Sequence, residues 1–108
     1  MEFDSFQDPK IELSAEELRQ TLNIESGKLK WAELQIHFAR GVVVNIDKSL
    51  DLIDVSEKFI KDDKQAIENW MKQGKISTAT DNDAKTWLAD DPEFWAVVVP
   101  PWVLVQLT

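Results

Sequence analysis

The residues able to do chemistry are few and scattered. His37 is the one histidine, and the chain has no cysteine. Thiolate metal sites, cysteine nucleophiles and disulfide scaffolds are therefore excluded. One imidazole without a second His or Cys beside it reads as a surface or core-edge residue, not as a ligand or general base. Asp81 and Asp83 have the spacing that opens a calcium loop. Such a loop needs Gly at its sixth position and Glu at its twelfth. Thr86 and Pro92 stand there instead, so the two aspartates are read as helix-capping residues, where the dipole favours anions. Asp62–Asp63 and Asp90–Asp91 are adjacent in sequence, and adjacent side chains do not converge on one substrate. Gly27, Gly41 and Gly74 are isolated, which leaves no glycine loop to cradle a phosphate. The serines have no acid–base partner beyond His37. No catalytic, cofactor-binding or metal-ligating residue is assigned, and a non-enzymatic protein is expected.

What remains is binding. Five tryptophans, Trp31, Trp70, Trp87, Trp95 and Trp102, are many for 108 residues. Most are expected to pack in the core, but Trp is also the residue most enriched at interaction hot spots. The strongest candidates lie in the C-terminal stretch FWAVVVPPWVLVQL, which has no charged side chain from Phe94 to Thr108. Three consecutive valines predict a strand covered on both faces or placed in an interface. Pro100 and Pro101 cannot donate to a ladder and suggest an edge position. An apolar edge without charge to blunt it favours a partner strand. Trp95, Trp102, Val103 and Val105 are the interaction candidates, and a symmetric homodimer through this strand is expected; the competing account places residues 94–99 and 102–107 wholly inside the monomer, paired with Val42–Asp47.

The elements that position these residues can be read from local patterns. Ser14 with Glu17 forms a capping box that opens a helix with Leu18 and Leu22 on one face. Trp31, Leu34 and Phe38 have helical spacing, and Gly41 suits the end of a helix over 31–40. Val42 to Asp47 is a β-branched run that reads as a strand. Asp51 caps a helix over 52–61, with Leu52, Val55 and Phe59 inside. Asp54–Lys58 and Glu57–Lys61 are complementary pairs on its outer face. A fourth helix starts after Asp63 and ends before Gly74, with Ile67, Trp70 and Met71 inward. Residues 75–78 are a short strand. Thr80 and Asp83 cap a fifth helix over 81–89 that buries Ala84, Trp87 and Leu88, and Asp91-Pro92 stops it. The fold class is α+β: about five short helices around a small sheet. Residues 1–10 are expected to be a flexible arm and 11–108 one globular domain.

The net charge is −8, concentrated at the two ends around a nearly neutral middle. That excludes long-range attraction to nucleic acid or anionic lipid. No apolar run approaches the roughly 20 residues of a membrane span. MEFDSFQDPK is not a signal peptide, and a cytoplasmic protein is expected.

Two resemblances extend this reading. VSEKFI followed by AIENWMKQGKI resembles the helix-turn-helix of excisionase- and MerR-type regulators, in which a helix ending W-x-x-x-G enters the major groove. Val55 and Phe59 match the first helix; Ile67, Trp70, Gly74 and Ile76 match the second helix and the wing strand. The resemblance makes 52–76 a helix-turn-helix-like pair. Lys64, Gln65, Asn69 and Lys72 are then the DNA-contacting candidates of an alternative reading as a transcription regulator. That helix also carries Glu68, and the two arginines, Arg19 and Arg40, lie elsewhere. Base readout favours Arg and phosphate binding needs several cations, so nucleic acid is not the expected partner. Across nearly the whole chain, SLDLIDV (Ser49–Val55), the Trp70-to-Gly74 segment, Trp87–Leu88 and FWAVVVPPWVLVQ (Phe94–Gln106) resemble a small bacterial family known only as a domain of unknown function. The resemblance implies a bacterial cytoplasmic domain and supplies no catalytic residue. The leading expectation is a small non-enzymatic protein acting through protein–protein contacts.

Overall fold

A computed structural model describes residues 12–108; the predicted N-terminal arm, 1–10, lies outside them. Five helices flank a five-stranded mixed sheet. In chain order these are α1 (Ala15–Glu25), β1 (Gly27–Lys30), α2 (Trp31–Ala39), β2 (Val43–Ile46), α3 (Leu52–Ile60), α4 (Lys64–Lys72), β3 (Ile76–Thr78), α5 (Asp81–Asp90), β4 (Glu93–Val99) and β5 (Trp102–Leu107). The sheet order is β1-β4-β5-β2-β3. β2 and β5 run parallel, and the other neighbours are antiparallel.

The helix starts follow local chemistry. Ser14 and Glu17 close the capping box of α1, and Thr80 and Asp83 close that of α5. Asp51 and Asp63 cap α3 and α4 with their carboxylates. α2 and α4 both end in a glycine at φ +73°, Gly41 and Gly74. No atom lies near enough to crowd a Cβ at either position, so the left-handed backbone is what calls for glycine there.

The sheet is the middle layer of three. On one side α1, α3 and α4 bury Leu18, Leu22, Val55, Phe59 and Ile67 against Val97, Val99 and Leu104. On the other, α2 and α5 bury Trp31, Leu34 and Trp87 against Phe94, Ala96, Val103 and Val105. Trp87 stands edge-on to Phe94 at 4.9 Å, and Trp31 edge-on to Phe38 at 5.5 Å.

Several expectations are corrected. The C-terminal strands are not an edge. β4 lies between β1 and β5, and β5 between β4 and β2, while Pro100 and Pro101 form the turn of the β4–β5 hairpin. Val97 and Val99 are sealed under α1 and α3, whereas Val98, on the opposite face of β4, is 53% exposed. Val103 is 3% and Val105 0% exposed, so neither is available to a second copy, and the edge on which the homodimer expectation rested is internal. The real edges are β1 and β3. β1 had no counterpart among the expected strands. Its sequence, GKLK, pairs because β4 lies beside it, and Lys28 and Lys30 blunt the open side. Met71 and Leu88, expected inside, are 42% and 68% exposed. Glu57, expected outside, is buried: it accepts from Arg19 at 2.9 Å and lies 3.8 Å from Lys61. Asp54 pairs with Arg19 rather than with Lys58.

Candidate functional site

A concave feature lies where α1 ends and α3 begins. A groove of about 490 Å³ opens there onto the sheet. Asn23 and Ser26 contribute from the end of α1, residues 49–53 from the approach to α3, and Trp95 and Gln106 from the sheet. Its place follows from topology. β2 and β5 are parallel and end side by side, and the chain leaves β2 for the N-terminus of α3. In open sheets the crevice outside the carboxyl ends of parallel strands is the usual ligand site.

The sheet supplies one row of this surface. Lys28 pairs with Trp95 across β1 and β4, and Trp95 with Gln106 across β4 and β5. The odd-numbered positions of β4 face α1 and α3, where Val97 and Val99 are sealed. Trp95, further along the same row, stays 41% exposed. The Lys28 ammonium sits 5.0 Å from the Trp95 ring centre and 3.7 Å from Glu93.

The opposite wall is held by hydrogen bonds. Gln106 Nε2 donates to the carbonyls of Asp47 (2.9 Å) and Leu50 (2.7 Å), tying β5 to the loop before α3. The Ser49 N–H donates to Asp47 Oδ2 at 2.9 Å. The Asp47 carboxyl is held below its ordinary value, chiefly by the Ser49 hydroxyl, then by that backbone N–H, with the Lys75 charge adding. Asp51 accepts from the N–H groups of Ile53 and Asp54, which occupies the donors that would otherwise make the start of α3 an anion site. Arg19, on α1, braces α3 through Asp54 and Glu57, with Asp51 at 3.9 Å. Asp54 and, after it, Glu57 push its guanidinium pKa up.

Among the expected site residues, Trp95 lines the groove and Trp102 is half-buried against the α1/α3/α4 core. Val103 and Val105 face the α2/α5 core. Lys64, Gln65, Asn69 and Lys72 are all exposed on α4. The strand after α4, Ile76–Thr78, is tied into the sheet by β2. His37 is half-buried in the last turn of α2. Among the described residues, no three of His, Asp and Glu are grouped to hold a metal ion. The groove's polar residues, Asn23, Ser26, Ser49, Asp51 and Gln106, were not anticipated as a site. The one signal was SLDLIDV, a segment that carried the family resemblance.

The comparisons with known proteins agree with that resemblance. The chain belongs to the family described as "Protein of unknown function (DUF2288)", whose model matches residues 17–107. It is also similar to a solved structure, the NMR solution structure of PA1075 from Pseudomonas aeruginosa. The two are 40% identical, and the match has a TM-score of 0.73 over 88% of this chain and 87% of that one. The search of curated proteins matches nothing. Every groove-lining residue falls inside the family match.

Proposed function

We propose that this family member is a small non-enzymatic cytoplasmic protein that acts through protein–protein contacts, with the Trp95 groove as its docking site. One observation carries the reading: a tryptophan 41% exposed stands in a concave site instead of the core. Exposing an indole forgoes burial, and a Trp at the centre of a pocket is the commonest kind of interaction hot spot. The groove is walled by hydrogen-bonded segments from α1, α3 and the sheet, so little ordering is required on binding. Among the described residues no helix is long and apolar enough to cross a membrane.

The test is recovery of partners from cells of the source organism by tagged wild type and by Trp95→Ala. Proteins enriched by wild type and lost with Trp95→Ala support the reading; an identical set from both overturns it. The second reading, DNA binding, is favoured by one observation: Lys64, Gln65, Asn69 and Lys72 all reach solvent on α4. Against it, Glu68 shares that surface, and Lys64 lies 3.9 Å from Asp62. A mobility-shift assay at low salt separates the two. Salt-sensitive binding lost in the Lys64→Glu/Lys72→Glu variant establishes the second reading and removes the first.

A further inference from the structure

The groove's own hydrogen bonds restrict what it can hold. Its donors are largely committed inside the fold. Both N–H groups of Gln106 are spent on the Asp47 and Leu50 carbonyls. Asn23 Nδ2 donates to the Arg19 carbonyl, and the Ser26 hydroxyl to the Asn23 carbonyl. The N–H groups of Ile53 and Asp54 go to Asp51. What these side chains retain is acceptor capacity: Gln106 Oε1, Asn23 Oδ1, the Ser26 oxygen and the outer oxygen of Asp51, which has the Arg19 guanidinium 3.9 Å away and no hydrogen bond from it. Among the described residues Asp51 is the one charged residue of the lining, with Lys28 over the Trp95 ring and Arg19 3.9 Å from Asp51. An anion would meet a carboxylate and committed amides. A purely apolar group would strip water from Asp51 without replacing its hydrogen bonds.

A planar cation satisfies all of these constraints. A guanidinium has five donors in a flat fork, is weakly hydrated, and stacks on an indole face. The protein already places a cation on this indole, since Lys28 lies over the Trp95 ring at 5.0 Å. The volume, about 490 Å³, lies within the range of roughly 300–1,000 Å³ typical of small ligand sites. It admits one long side chain and its flanking backbone rather than a folded surface.

We infer that the groove binds an arginine side chain presented by an extended segment of a partner protein. The guanidinium stacks on Trp95 and donates to Asp51 and to the Gln106 and Asn23 side-chain oxygens. This rests on the reading of the groove as a protein-docking site and names what that site recognises. Lys28 is then an internal competitor for the indole face.

The experiment follows the Trp95 indole N–H by heteronuclear NMR, its signal assigned by its loss in Trp95→Ala. The probes are acetylated, amidated Ala-Arg-Ala, the same peptide with citrulline (the uncharged isostere) in place of arginine, and ethylguanidinium. The arginine peptide should shift the Trp95 signal saturably and bind at least about tenfold more tightly than the citrulline peptide. Asp51→Asn keeps a side-chain oxygen for the α3 cap and should weaken the arginine peptide by about tenfold with the remaining spectrum unchanged. Lys28→Met removes the competitor and should tighten it by about two- to fivefold. Equal binding of arginine and citrulline peptides, or weaker binding by Lys28→Met, overturns the inference. If ethylguanidinium binds as tightly as the peptide, the site serves a small cation and the partner-protein assignment falls. If no probe moves Trp95 while partner recovery still depends on Trp95, the arginine assignment fails and the docking site stands. If partner recovery is also independent of Trp95, both fail.

Discussion

Trp95 and Trp70 show how two residues of one type take different roles. Trp70 is half-buried against the α1/α3/α4 core, so it is a packing residue with one edge in water. A fully buried Trp costs about 3–5 kcal/mol on truncation to Ala. Partial exposure places Trp70→Ala lower, at about 2 kcal/mol, checked by denaturant unfolding. Trp95→Ala, which opens no cavity in either core, should cost under about 1 kcal/mol. Asp47 offers a second test. Its folded pKa is depressed, so its contribution to stability is full above the ordinary carboxylate range and disappears as pH falls through the folded value. Ser49→Ala removes the largest cause of that depression. The Asp47 carboxyl should then titrate closer to its ordinary value, and less of the acid-side loss of stability should remain. Carboxylate NMR titration of the two proteins decides; coincident curves would show that the Ser49 hydroxyl does not hold Asp47.

The elements were legible wherever their cause is local. Ser14–Glu17 and Thr80–Asp83 lie within four residues of chain and form the boxes their spacing predicts. β1 was illegible because GKLK has little strand character of its own; its partner in β4 is more than sixty residues away. The burial of Glu57 on α3 was missed for a related reason, although its pair with Lys61 is present. Glu57 has good helical spacing to Lys61, but only tertiary packing brings Arg19 over it. The groove is the extreme case, since it depends on Gln106 reaching Asp47 and Leu50 across 59 and 56 residues. Gln106→Ala removes both bonds and leaves two carbonyls to water. It should cost about 1–2 kcal/mol and accelerate amide exchange at residues 49–53 while α4 and α5 keep their protection. Unchanged exchange in that loop would mean that Gln106 does not position it.

For the whole molecule, the three-layer arrangement explains the charge-free C-terminal segment. Two strands at the centre of a covered sheet need apolar side chains on both faces, and the hairpin that joins them is turned by Pro100 and Pro101. In sequence the same residues read either as an exposed edge or as internal strands beside Val42–Asp47, because proline marks turns and edges alike; the pairing of β5 with β2 follows the second. Val103→Lys therefore places an ammonium in the α2/α5 core and should abolish the folded state, not split a dimer; loss of the dispersed amide spectrum is the expected readout. A folded variant would contradict the central position of β5. The account's central claim is that a protein partner docks over Trp95, and site-specific photo-crosslinking in living cells tests it most directly. A photoreactive residue replaces Lys28 or Ser49 at the groove, Asn69 on α4, or Ile36 on the outer side of α2. The prediction is discrete protein adducts from positions 28 and 49 that vanish when Trp95→Ala is added, with none from 36 or 69. Adducts confined to position 69, or groove adducts indifferent to Trp95→Ala, would contradict it.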